Sequence, residues 1–278
     1  MSSRLAVLLF ASSRCKLRRD MSELRIPRRA ALLGALSTLA VACRSNKERA
    51  AQVEPIEEEP SIELQFFVGG DLEEHERAGT LLVLLHGFGA SADDLNDVAD
   101  SLAMVHPGTR YVLCAGPFQT SNGGRAWWPM REHPHYDQKQ VLSTPERELR
   151  SARNAVLELL RKLRQRYAPQ KVALVGFSQG AMLALDVALT PSAGVARVAV
   201  LSGALVADTM QRLAHDHATP AVFVMHGRTD AVLTFQGATQ LVTTLKEHHI
   251  EPRFLPFDGG HEIPRKLIPG LAEFLFAS

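Results

Sequence analysis

From residue 62 onward, short apolar runs alternate with stretches whose apolar positions recur every three or four residues. The run Leu81-Leu82-Val83-Leu84-Leu85 has no polar position, which predicts a strand covered on both faces. Similar runs predict strands at 111–114, 172–176, 195–201, 221–225 and 253–257, and the alternating segment 62–68 predicts a half-buried strand. Helical periodicity marks 93–105, 144–167, 181–189, 236–248 and 264–276, with Ser91 placed to cap the first of these. This order implies an α/β fold, a mostly parallel central sheet with helices on both faces. No internal repeat is visible, and 61–278 reads as one domain.

The upstream chain breaks the pattern. After Arg28-Arg29 come thirteen uncharged residues, 30–42, which at about 1.5 Å each span roughly 20 Å, short of a ~30 Å hydrocarbon core. A basic start, a short apolar run and small residues before a cut site predict a signal peptide over 1–42, with Met21 as an alternative start. Ala40-Val41-Ala42-Cys43 resembles the lipobox of bacterial lipoproteins, in which the cysteine is acylated, and Arg28-Arg29 resembles a twin-arginine export signal. The expectation is an exported lipoprotein of the bacterial envelope, joined to a membrane through lipid on Cys43. Residues 43–60, with Glu54 before Pro55 and Glu57, Glu58 and Glu59 between Pro55 and Pro60, predict an extended acidic tether.

Charge sharpens this reading. The 278 residues hold 31 basic and 30 acidic side chains, a formal +1. Eight of the bases and two of the acids fall within 1–42, so the remainder carries 23 against 28, a formal −5. A chain of that sign gains nothing from nucleic acid or anionic lipid, so membrane attachment has to come from acyl chains. Three cysteines, with Cys15 in the signal, Cys43 at the cut and Cys114 in a strand, make no disulfide framework. No Walker A loop or G-x-G-x-x-G occurs, and His133-Pro134-His135, His215-Asp216-His217 and His248-His249 lack H-E-x-x-H spacing; neither a metal nor a cofactor is expected.

The strongest chemistry sits at Gly176-Phe177-Ser178-Gln179-Gly180, a G-x-S-x-G between a predicted strand and a predicted helix. In that context it is a nucleophile elbow: a sharp turn lifts the serine oxygen above the strand ends, and the following helix points its first amides at it. A serine hydroxyl needs a base, and the base an orienting acid. In the order serine, acid, histidine that accompanies such an elbow, His261 lies after the last strand and Asp230 follows the strand at 221–225. Asp186 falls in a helix and Asp208 and Asp216 in a surface excursion; Asp258, close to His261, stays open as an alternative acid. Backbone donors for an oxyanion are expected from Phe88, in the loop H-G-F-G-A-S, and from Gln179. His86 and His226, before glycines at strand ends, read as structural side chains.

From Leu81 to the C-terminus the chain resembles the α/β-hydrolase superfamily, and within it the phospholipase/carboxylesterase family that includes the acyl-protein thioesterases. Leu85-His86-Gly87-Phe88-Gly89, Gly176-Phe177-Ser178-Gln179-Gly180-Ala181, His226-Gly227-Arg228-Thr229-Asp230 and Gly260-His261-Glu262-Ile263-Pro264 carry the resemblance. It implies serine-esterase chemistry, with Ser178, Asp230 and His261 as triad, Phe88 and Gln179 as oxyanion donors, and no cofactor. Trp127-Trp128-Pro129 resembles the family's tryptophan-containing loop, which implies contact of Trp127 and Trp128 with substrate. The long loop at 115–143 has the length of a functional lid. The expected activity is hydrolysis of small-molecule or lipid carboxylic esters, with thioesters or lysophospholipid included. A polyester depolymerase, a peptidase or an acyltransferase on the same fold, and a catalytically silent envelope lipoprotein, are the rival readings; oligomeric state is not legible.

Overall fold

In the computed structural model, residues 62–70, 72, 76–130, 142 and 144–277 are described. The expected signal at 1–42, Met21, Cys43, the tether at 43–60 and the His133-Pro134-His135 stretch lie outside them.

In chain order the strands are β1 (Phe66–Gly70), β2 (Thr80–Leu85), β3 (Thr109–Cys114), β4 (Phe118–Gln119), β5 (Arg125–Ala126), β6 (Lys171–Phe177), β7 (Arg197–Leu201), β8 (Ala221–Gly227) and β9 (Arg253–Phe257). The helices are α1 (Asn96–Val105), α2 (Glu146–Tyr167), α3 (Gln179–Ala188), α4 (Ala207–Leu213), α5 (Phe235–Glu247) and α6 (Ile268–Phe276). A seven-stranded sheet runs β1-β3-β2-β6-β7-β8-β9, while β4 and β5 pair separately. All neighbours in the large sheet are parallel except β1, which lies antiparallel on β3 with Phe66 opposite Cys114 and Gly70 opposite Arg110.

The unbroken apolar run of β2 has its reason in two cores. Leu81, Val83 and Leu85 enter one, with α2, α3 and α5; Leu82 and Leu84 enter the other, with α1 and α6. β6, β7 and β8 divide their side chains in the same way. Each fully buried Leu or Val contributes about 1.5–3 kcal/mol, so burial on two faces fixes both the strand and its register.

The chain steps outward from β2 to β3, then returns to place β6 on the other side of β2. Right-handed crossovers on either side of that reversal put their helices on opposite faces. A crevice therefore opens above the carboxyl ends of β2 and β6, the usual place for a ligand in an open α/β sheet.

Several boundaries differ from the expectations. The strand expected at 62–68 begins at Phe66, because β3 offers partners only from Cys114 back to Arg110. The helix expected at 93–105 starts as a 3-10 turn, Ala92–Leu95. Ser91 is the N-cap residue of that turn and its carbonyl accepts from Asp94 N, but its hydroxyl caps no backbone N–H and donates instead to the Asp93 and Asp94 carboxylates. The excursion around Asp208 contains α4, whose seven residues are too few to show a period. Within 115–143, β4 and β5 form a hairpin, and Leu142 bridges Val206.

Candidate active site

Ser178 is the single residue between β6 and α3, with φ 54° and ψ −117°. A positive φ at a serine costs on the order of 1–3 kcal/mol, and the surroundings have to hold it. Ser178 N donates to Leu201 O at 2.9 Å, and its carbonyl accepts from Ala181 N and Met182 N. Strand and helix approach so closely that a Cβ on Gly180 would lie 2.1 Å from Leu85 O, and one on Gly176 2.3 Å from Gly180 O. The G-x-S-x-G spacing is thus a packing requirement.

Asp230 lies three residues beyond β8, in a turn closed by its own Oδ1, which accepts from Val232 N at 2.8 Å and Leu233 N at 2.9 Å. Its Oδ2 accepts from His261 Nδ1 at 2.7 Å, and His226 Nε2 stands 3.3 Å from the same oxygen. Burial opposes ionisation of this carboxyl, yet hydrogen bonds from His226, His261 and the two amides outweigh it and hold Asp230 well below the usual carboxylate range. Asp258, the alternative acid, has a side chain that is 96% exposed and pairs with Arg228, so of the two carboxylates it is Asp230 that bonds His261.

His261 sits in the loop after β9, its ring tilted against Phe177 at 4.9 Å between centroids. With Nδ1 donating to Asp230, Nε2 is the nitrogen left to accept a proton. His261 and Ser178 line one cavity of about 510 Å³, together with His86, Gly87, Phe88, Leu95, Phe177 and Ile263. Ser178 Oγ makes no side-chain hydrogen bond among the described residues; such contacts commonly tighten only when substrate is bound.

Phe88 lines the cavity with Ser178, Gln179 follows Ser178 as the first residue of α3, and among the described residues neither backbone N–H has an acceptor. His86 does not compete as a base. Its Nδ1 donates to Gly87 O, its Nε2 accepts from Gly116 N at 2.9 Å, and burial holds it below the ordinary histidine value. His226 is fully buried and donates from Nε2 to Leu233 O at 2.8 Å as well as facing Asp230, a shared hold on the acid that the sequence did not reveal.

Trp127 and Trp128 are a correction. Both are 0% exposed, inside the core shared with α2 and α3, and neither lines the cavity. Their peptide groups bond the Gln179 side chain, so they sit beneath the site instead of touching substrate. The lid expected at 115–143 is likewise revised for 115–130, which is bonded to the loop after β2 through Gly89, Ala90 and Arg125. Among the described residues no group of three or more His, Cys, Asp or Glu side chains is set to hold a metal ion. Cys114 is buried and, among the described residues, has no disulfide partner.

The family profile described as phospholipase/carboxylesterase matches residues 72–278. The chain belongs to the phospholipase/carboxylesterase family. Esterase PE8 is 26% identical, with a TM-score of 0.66 over 77% of this chain and 98% of that one. A carboxylesterase from Mesorhizobium loti (19% identity, TM-score 0.62, 77% of this chain and 95% of that one) shares the fold. So does the Bacillus cereus carboxylesterase (16%, 0.59, 76% and 93%). No curated protein matches the sequence. Family and fold together make the chain an ester hydrolase of the α/β-hydrolase type.

Proposed function

We propose that the protein is a serine carboxylesterase working through a Ser178–His261–Asp230 triad and an acyl-enzyme. The observation that carries this is the 2.7 Å Asp230–His261 bond beside a cavity shared by His261 and Ser178. Ser178 Oγ attacks the acyl carbonyl as His261 Nε2 takes its proton; the carbonyl π pair moves onto oxygen, which the Phe88 and Gln179 amides receive. Collapse expels the alcohol, protonated by His261, and leaves the acyl group on Ser178. Water then repeats the cycle and releases the acid. Asp230 keeps Nδ1 protonated throughout, so Nε2 is always the nitrogen facing the chemistry.

The lining of Phe88, Leu95, Phe177 and Ile263 supports an apolar ester group beside the scissile bond. Thioesters and lysophospholipid pass through the same acyl transfer and belong in the substrate panel. Ser178→Ala should abolish labelling by a fluorophosphonate probe and hydrolysis of p-nitrophenyl esters; undiminished labelling of that variant removes Ser178 as nucleophile.

We also propose that the enzyme is an envelope lipoprotein acylated on Cys43. The apolar run 30–42 and Ala40-Val41-Ala42-Cys43 support this. Globomycin should cause a precursor to accumulate in the native host, and unchanged processing rules the reading out.

A further inference from the structure

We propose that the Gln179 side chain is a positioning residue that ties both oxyanion donors to one support, the segment 116–128. The inference rests on the oxyanion-hole reading above. Gln179 is wholly buried, and both ends of its carboxamide are used on main-chain atoms: Oε1 accepts from Trp127 N at 2.8 Å, and Nε2 donates to Trp128 O at 2.8 Å. This fixes the helix start that carries the Gln179 N–H.

The same segment holds the other donor from both sides. Before Phe88, Trp127 Nε1 donates to His86 O at 2.8 Å and Gly116 N to His86 Nε2 at 2.9 Å. After Phe88, Gly89 N donates to Arg125 O at 2.9 Å and Arg125 N to Ala90 O at 2.7 Å. Contact is direct, since a Cβ on Gly124 would lie 2.0 Å from Gly89 O. The loop after β2 and the elbow after β6 are 90 residues apart in sequence, yet the first is bonded to Gly116, Arg125 and Trp127 and the second to Trp127 and Trp128, all within this one segment.

The physical demand is plain. Donors have to stand about 2.7–3.1 Å from the oxygen as it becomes negative, a position the ground-state carbonyl does not occupy. Two donors on separate loops meet that demand only if their separation is fixed before substrate arrives. A misplacement of about 1 Å can cost about 10²-fold in rate. The side chain touches no substrate, so its loss leaves both N–H groups present and only their placement changed.

The test is Gln179→Met, which keeps the volume and removes both bonds. The expected result is a fall in kcat of about 10- to 100-fold with KM changed less than about threefold. The inhibition constant of an alkyl trifluoromethyl ketone, which forms the oxyanion on Ser178, should rise by the factor by which kcat/KM falls. Trp127→Phe, which keeps an aromatic ring and the backbone N–H but removes the indole N–H together with part of the ring, should lower kcat in the same direction. The double variant should lose less than the product of the two single losses, because both act on one support. Thr209→Val, a buried polar deletion in α4, serves as the stability control and should lower Tm while kcat holds.

The proposal is overturned if Gln179→Met keeps kcat, if kcat falls while the ketone binds as before, if the paired losses multiply, or if Thr209→Val loses kcat equally. Fluorophosphonate labelling separates the two levels. Wild type that does not label contradicts the triad, whereas a wild type that labels with an unimpaired Gln179→Met contradicts only the positioning role.

Discussion

Asp186→Ala tests whether burial or distance decides the strength of an ion pair in this fold. Arg153 of α2 reaches Asp186 of α3 at 2.8 Å and Asp208 of α4 at 2.6 Å, so by distance Asp208 is the tighter partner. Surroundings reverse the order. Asp186 is 0% exposed and also accepts from Thr209 Oγ1 at 3.0 Å and Arg212 Nε at 3.3 Å, whereas the Asp208 side chain is 11% exposed. Removing Asp186 leaves a nearly buried guanidinium with one carboxylate and a buried hydroxyl with none. Breaking a buried pair in this way costs about 3–5 kcal/mol, against roughly 1–2 kcal/mol where water can reach the stranded group. At about 2–4 °C per kcal/mol for a domain of this size, Asp186→Ala should lower Tm by roughly 6–20 °C. Urea unfolding with an unchanged m-value gives the free energies directly. Asp208→Ala costing as much as Asp186→Ala, or Asp186→Ala costing under about 1 kcal/mol, would refute the argument from burial.

Two further outcomes follow from the site. Phe88→Pro deletes a backbone N–H and should lower kcat by about 10²–10³, while Phe88→Ala, which keeps it, should lose less than about tenfold; steady-state kinetics on one ester compares them, and equal losses would transfer the role to the ring. Asp230 is held below its ordinary value in the folded protein, so its ionised form favours folding. That contribution is complete above the unfolded value of about 3.9 and is lost as pH falls through it toward the lower folded value. The stability gap between wild type and Asp230→Asn should therefore narrow as pH falls below about 4; a gap that widens over that range contradicts the hydrogen-bonding account.

The parallel core was readable because its strands are apolar on both faces, a signal that needs no knowledge of neighbours. The places of Ser178, Asp230 and His261 were readable because each follows a strand, while the choice of Asp230 over Asp258 needed the structure, in which Asp230 bonds His261 and Asp258 is exposed. What stayed hidden depends on contacts between distant segments. Nothing local in Trp127-Trp128 distinguishes a buried pair from a cleft lining, and the Gln179 carboxamide acquires its partners only when residues about fifty positions away fold beneath it. The hold of His226 on Asp230 was missed for a similar reason, since its strand-end position explained the histidine without a second partner. α4 escaped because one short helix, anchored by Arg153 of α2 and Asp186 of α3, has no period of its own.

The reversed direction of β1 has a practical side. Because Phe66 pairs with Cys114, the described chain enters the sheet at the edge that carries Ser178 and His261. Its other end is elsewhere: the Ala277 carbonyl accepts from Lys171 at 3.1 Å and Arg197 at 3.0 Å, the residues that begin β6 and β7 on the far edge. A purification tag or solid support attached after Ala277 leaves the cavity facing solution. The same attachment made upstream of β1 joins the chain on the side where β2 and β6 end, the side that carries the cavity.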